Sequence, residues 1–146
     1  MPFTSYLKEI RSNLAQGNAS EQSHYPALKG LIQSLAPTII ATNNPKKIAC
    51  GAPDFIITRG NVPLGYIEAK DVGKSLDQAE KSEQVERYLG SLNNLVVTNF
   101  LEFRWYVEGQ HRRTTSLATL HPRGKVKASR AGENEVSQLL LSLIHI

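Results

Sequence analysis

Between residues 4 and 16, Tyr6, Leu7, Ile10 and Leu14 fall on one stripe at helical spacing and Gly17 ends it, which predicts an amphipathic helix. A second stripe, Leu28, Leu31, Ile32 and Leu35, predicts another helix from about Glu21 or His24 to Leu35. Ser20 or Ser23 would cap it, and Pro26 lies in its first turn, where proline is tolerated. Pro37 and the triplet Asn43-Asn44-Pro45 bound a short connection holding Ile39 and Ile40. The period then changes to two, predicting strands at about 52–58 and 64–70 around Gly60-Asn61. Ser75 and Gln78, at capping-box spacing, open a helix expected to run to about Leu89, with Val85, Tyr88, Leu89 and Leu92 as its apolar stripe. Strands follow at roughly 95–98 and 101–108, the second placing Phe103, Trp105 and Val107 on one side. A short strand at 114–120 and a helix from about Glu133 complete the chain. The order predicts an α/β fold, a mixed β-sheet flanked by helices.

Composition narrows the function classes. A chain of 146 residues has room for one domain with a true core, and 40% hydrophobic with 21% charged residues is ordinary for a globular protein. No apolar run reaches the roughly 18–20 residues of a membrane span. The start, with Glu9 and no long apolar core, lacks the pattern of a secretory leader. Cys50 is the single cysteine, which excludes an internal disulfide and a cysteine-rich zinc site. His24, His111, His121 and His145 have no ligand-like spacing. The net charge of +4 is mild, but six Lys/Arg and no Asp or Glu lie between His111 and Arg130. A phosphate-tracking surface has this pattern. So does a solvated strand edge followed by a linker, since HPRGKVKASRAGENE is rich in turn formers.

The hairpin at 51–71 carries charges among its apolar residues. With strand pairing symmetric about Asn61, Phe55 faces Ile67, Ile56 faces Tyr66, and Asp54 falls opposite Glu68. Opposed side chains share a face, with Cβ atoms about 4.5–5.5 Å apart, and like charges there are unfavourable without a positive group between them. Alternation puts Lys70 on the face of Glu68. Two such carboxylates can chelate Mg²⁺, a hard cation that takes oxygen ligands, and the backbone carbonyl of Ala69 can add another. Beside such an ion, Lys70 can orient a water or stabilise negative charge in phosphodiester hydrolysis. A surface ion pair from Lys70 to Glu68 or Asp54 accounts for the same residue types without any function.

The run PDFIITRGNVPLGYIEAK resembles the bipartite signature of the PD-(D/E)XK nuclease superfamily: Pro53-Asp54, a hairpin, then Glu68-Ala69-Lys70, followed by a helix and further strands. The resemblance implies a restriction-endonuclease-like core with Asp54, Glu68 and Lys70 catalytic and Mg²⁺ on Asp54, Glu68 and the Ala69 carbonyl. Gln84 and Tyr88 in EQVERYL are similar to the Q-x-x-x-Y element of several branches; one helical turn apart, both can face one site. Gln84 is then expected to assist catalysis and Tyr88 to contact DNA, although Tyr88 also reads as core. Glu21 matches the acidic residue that often joins this metal site, and reads equally as a helix N-terminal acid. Arg112, Arg113, Lys125 and Lys127 are the expected DNA contacts of the basic stretch.

Across most of residues 1–140, NNPKKIACGAPDFII, GYIEAKDVGKSLD and EQVERYLGSLNNLVVTNFLEFRWYVEG resemble the N-terminal nuclease domain of type IIG and type ISP-like restriction–modification enzymes. Those are single chains joining an endonuclease to an adenine-N6 DNA methyltransferase. The resemblance implies a cytoplasmic prokaryotic enzyme acting on double-stranded DNA, with methyltransferase and target-recognition domains downstream, and two copies for a double-strand break. A nuclease-like module that binds DNA or assembles without catalysis is the alternative. No methyltransferase catalytic motif, S-adenosylmethionine loop or P-loop is present in these residues. The expected organisation is a nuclease domain at 1–120, a basic linker and the start of a following helix at 121–140, and a tail at 141–146. That tail includes LSLIHI, which reads as the translation of a transposase adapter, and is expected to be non-native.

Overall fold

The computed structural model describes residues 2–145. Helix α1 (Pro2–Ala15) and a 3-10 turn (Glu21–His24) running into α2 (Tyr25–Leu35) precede strands β1 (Ile39–Asn43), β2 (Phe55–Arg59) and β3 (Val62–Ala69). Two short helices, α3 (Leu76–Glu80) and α4 (Glu83–Leu89), cross to β4 (Asn94–Thr98), β5 (Glu102–Val107) and β6 (Gln110–Ser116). A small hairpin, β7 (Ala118–His121) and β8 (Lys125–Ala128), leads to α5 (Gly132–Ile144). Strands β1 to β6 form one sheet in sequence order, antiparallel except for the parallel pair β3–β4. A parallel pair needs a crossover, and α3–α4 supply it.

Alternation sorts the sheet's side chains onto two layers. On one face Phe55, Ile57, Ile67, Val96 and Phe103 are buried against Ile10 of α1, Leu28 and Ile32 of α2, and Leu139 and Leu143 of α5. On the other, Leu95, Val97 and Tyr106 meet Leu76, Ala79, Val85 and Tyr88 of α3 and α4. The mixed α/β sheet with helices on both faces is the fold class expected from the periodicity.

Several local expectations change. The connection expected around Ile39 and Ile40 is the edge strand β1: Ile39 and Ala41 are buried, while Ile40 and Thr42 face solvent. The helix expected from Ser75 to Leu89 is two helices. Ser82 Oγ donates to Ala79 O at 2.8 Å, closing α3, and accepts from Val85 N at 3.2 Å, capping α4. The strand expected at 114–120 is the end of β6 and the start of β7, separated at Leu117. Within 121–140, expected as a basic linker and the start of a following helix, residues 121 and 125–128 belong to the β7–β8 hairpin, which buries Ala118 and Val126 against the body. The helix after it packs on the sheet, and residues 141–144 continue it, burying Leu143 and Ile144.

Candidate active site

The β2–β3 hairpin keeps the expected register where it matters. Phe55 pairs with Ile67, Ile56 with Tyr66 and Ile57 with Gly65. A bulge after Ile57 then shifts the pairing, so Arg59 meets Val62 across a two-residue turn at Gly60-Asn61. Gly60 takes φ 59°, the left-handed value that glycine adopts without penalty. The bulge lies at the far end and leaves Asp54 opposite Glu68.

Each of the two carboxylates accepts a backbone N–H from the opposite arm of the hairpin. Asp54 N–H donates to Glu68 Oε1 at 3.1 Å, and Ala69 N–H donates to Asp54 Oδ2 at 2.8 Å. Lys70 Nζ lies 3.3 Å from Glu68 Oε2 and donates to Gln84 Oε1 at 3.2 Å. Gln84 Nε2 in turn donates to Tyr88 Oη at 3.3 Å. The backbone of Lys70 is itself fixed, its N–H donating to Thr98 O at 2.8 Å. The expected convergence of Asp54, Glu68, Lys70 and Gln84 is what the structure contains.

Glu21 joins through a residue that sequence reasoning missed. Tyr25 Oη lies 3.0 Å from Asp54 Oδ1 and 3.0 Å from Glu21 Oε1. One hydroxyl has one proton, so the two carboxylates share it. Tyr25 is pinned edge-on to Phe55, ring centroids 5.4 Å apart, which aims the hydroxyl across the end of the sheet. A tyrosine on an apolar helix face carries no signal of this role in the sequence.

Tyr88, expected to contact DNA, is buried, and this expectation is corrected. It lies under the loop before β2, where a Cβ on Gly51 would come within 3.3 Å of its ring and hydroxyl. Arg87 Nε donates to Cys50 O at 2.7 Å and holds that loop down. Its contact with the cluster is the hydrogen bond that Oη accepts from Gln84 Nε2. Of the expected basic contacts, Arg112 and Arg113 lie on the edge strand β6 and Lys125 and Lys127 on β8, and none touches the carboxylate cluster.

The electrostatics follow from placing acids at the end of a buried strand. Burial first, then the charge of Asp54, push the Glu68 carboxyl up to about 7, against the lowering pull of Lys70. Burial likewise raises Glu21, with Asp54 adding to it and the Tyr25 hydrogen bond opposing. Burial and the two acids raise Tyr25, so it stays a neutral donor. Among the described residues no group of three or more His, Cys, Asp or Glu is arranged to hold a metal ion. Each carboxylate oxygen of Asp54 and Glu68 has a protein partner, and each retains a further lone pair.

No family model and no curated protein matches the chain. Among solved structures it is similar to a chain in a cryo-EM structure of a DrdV–DNA complex, with a TM-score of 0.74 and 15% sequence identity. The match covers 99% of this chain and 14% of that one, so the chain spans about one seventh of its neighbour's length. The fold is a mixed α/β sheet flanked by helices, restriction-endonuclease-like in architecture, and an acid–acid–lysine cluster lies at the end of its central strands.

Proposed function

We propose that the chain is a Mg²⁺-dependent DNA endonuclease domain of the PD-(D/E)XK type, part of a restriction–modification enzyme of the type IIG or type ISP-like kind. The observation that carries this reading is the mutual clamp of Asp54 and Glu68 with Lys70 held between Glu68 and Gln84. The neighbour's DNA complex and the shared fold support DNA as the substrate. Methyltransferase and target-recognition domains would lie elsewhere in the parent chain, in a prokaryotic cytoplasm.

The donor set fits a divalent cation. Two acids crowd one another beside the ammonium of Lys70, and burial, then the charge of Asp54, raise the Glu68 carboxyl. Asp54, Glu68 and the Ala69 carbonyl would hold Mg²⁺, with Glu21 reaching it through the Tyr25 side. When bound, the ion supplies positive charge that polarises a phosphodiester and acidifies water. The chain's own groups do the positioning. Ala69 N–H and Tyr25 Oη fix the two oxygens of Asp54, and Asp54 N–H fixes Glu68. Lys70, steered by the Gln84 amide that Tyr88 orients, presents N–H donors to the attacking water or to charge developing on the phosphate. Water oxygen bonds to phosphorus and gives up a proton to solvent as one P–O ester bond breaks, and the leaving oxygen takes a proton from solvent.

A second reading, a DNA-binding or assembly module without catalysis, is favoured by the lack of a three-acid cluster among the described residues. Plasmid cleavage separates the two. The chain should relax supercoiled DNA with Mg²⁺ and not with EDTA, and Asp54→Ala or Lys70→Ala should cut the rate by roughly 10²-fold or more. Binding without Mg²⁺-dependent cleavage, in this chain and in its parent enzyme, would defeat the nuclease reading.

A further inference from the structure

Strand direction divides the cationic stretch of residues 111–130 between two places. Ala69 pairs with Thr98, Thr98 with Phe103, and Glu102 with Ser116, so the start of β5 and the end of β6 lie at the carboxylate end of the sheet. Arg112 and Arg113 sit on the outer edge strand β6, Arg113 in the row of Ile67 but across β4 and β5 from it, and Arg113 Nη2 donates to Gln138 Oε1 of α5 at 3.1 Å. The β7–β8 hairpin departs from the carboxylate end.

This hairpin has two chemically distinct faces. Ala118 pairs with Ala128 and Leu120 with Val126, while Thr119 pairs with Lys127 and His121 with Lys125. Of the first set Ala118 and Val126 are buried while Ala128 and Leu120 stay exposed, Leu120 lying so close over Gly73 that a Cβ there would come within 2.6 Å of its Cδ2. Gly73 is three residues beyond Lys70. Arg11 Nε and Nη2 both donate to Val126 O, at 3.1 and 2.9 Å, and Ser129 N–H donates to Leu117 O at 2.9 Å. The hairpin is therefore fastened beside the segment that follows Lys70. Its outer face is exposed, with Lys125, Lys127 and, at the turn, Arg123; none of these has an acidic partner among the described residues.

On the β1 side of the carboxylates, Lys29, Asn43 and Asn44 line a groove that opens beside Tyr25. Cationic and polar groups thus flank the site on both sides along the end of the sheet. A small anion would be held by one cluster; an anion repeating along its length meets both.

We propose that the outer face of the β7–β8 hairpin, with Arg123, Lys125 and Lys127, is a docking ledge for the sugar-phosphate backbone of the duplex whose scissile phosphate lies at Asp54 and Glu68. The identity of the polyanion rests on the nuclease reading; the position of the ledge rests on the hairpin's register and tethers. Arg112 and Arg113 lie off this path.

Fluorescence anisotropy of a labelled duplex with the 146-residue chain, in EDTA over a salt series, tests this. The doubles Lys125→Ala/Lys127→Ala and Arg112→Ala/Arg113→Ala remove the same charge. The hairpin double should weaken binding about ten-fold or more and lower the slope of log affinity against log salt by about two. The edge double should stay within about two-fold, and Lys125→Arg/Lys127→Arg should bind like the parent, since phosphate contacts need charge. Equal losses in the two alanine doubles, a greater loss at the edge, or no duplex binding at low salt overturns the ledge. Because binding is read without metal, a chain that docks through the hairpin yet never cleaves refutes the nuclease reading alone. One that cleaves and ignores the hairpin double refutes the ledge alone.

Discussion

The carboxyl of Glu68 sits under the end of the sheet between the backbone of Asp54 and the ammonium of Lys70, and without a cation its ionisation is opposed by burial and by Asp54. Its folded pKa of about 7 stands above the ordinary 4.5, so the folded state binds the proton more tightly than the unfolded chain. The stability this confers is complete below about pH 4.5 and is lost as pH rises through about 7. In EDTA, the melting temperature should therefore fall from pH 5 to pH 8 by several °C more in the parent than in Glu68→Gln, whose amide cannot ionise. Buried His24, lowered by desolvation against Phe100, acts in the opposite sense but is common to both proteins and cancels in the comparison. Parallel pH dependences would show that Glu68 is not strained. The pairing of Asp54 with Glu68 is legible in the sequence because counting residues around one turn fixes it. Tyr25 is not, because its hydroxyl meets Asp54 only after α2 docks on the sheet, across 29 residues of chain.

Between elements, what was legible is what a local period can announce. The amphipathic stripes of α1 and α2 and the alternation of β2 to β5 lie in consecutive residues. The edge strand β1 hides between Pro37 and Asn43-Asn44-Pro45, turn formers that mask a five-residue alternation. The break at Ser82 hides because one serine both ends α3 and caps α4. Docking of α5 is set by a residue no pattern flags. Buried Asn94 donates through Nδ2 to Leu64 O at 2.7 Å and to Leu143 O at 2.8 Å, and its Oδ1 accepts from Trp105 Nε1 at 2.8 Å. One amide thus ties β3, β5 and the last turn of α5 together. Asn94→Ala strands the indole N–H and two carbonyls, each worth about 1 kcal/mol or more when left unpaired. Urea unfolding should show a loss of about 2–4 kcal/mol at an unchanged slope. A loss under about 0.5 kcal/mol would mean that water replaces the amide.

At the scale of the molecule, the described residues present one acid–acid–lysine cluster, at the end of the sheet. On the proposed function, a single centre of this kind would face one phosphodiester of a duplex at a time, since the two strands run antiparallel and present their scissile bonds in opposite orientations. Cleavage of both strands then needs either a second copy related by two-fold symmetry or a second visit by the same copy. On the same reading, docking through surface cations should be brief and salt-sensitive. With Mg²⁺, supercoiled plasmid should pass first to the open circle, at a rate proportional to protein concentration. The linear form should appear later and rise more steeply than linearly with concentration. Raising the salt should suppress the linear form before the nick, because it demands two docked chains at once. Gel time courses over a ten-fold range of protein check this. Linear product formed directly, in proportion to protein and without an open-circle intermediate, would mean that the chain acts as a preassembled pair.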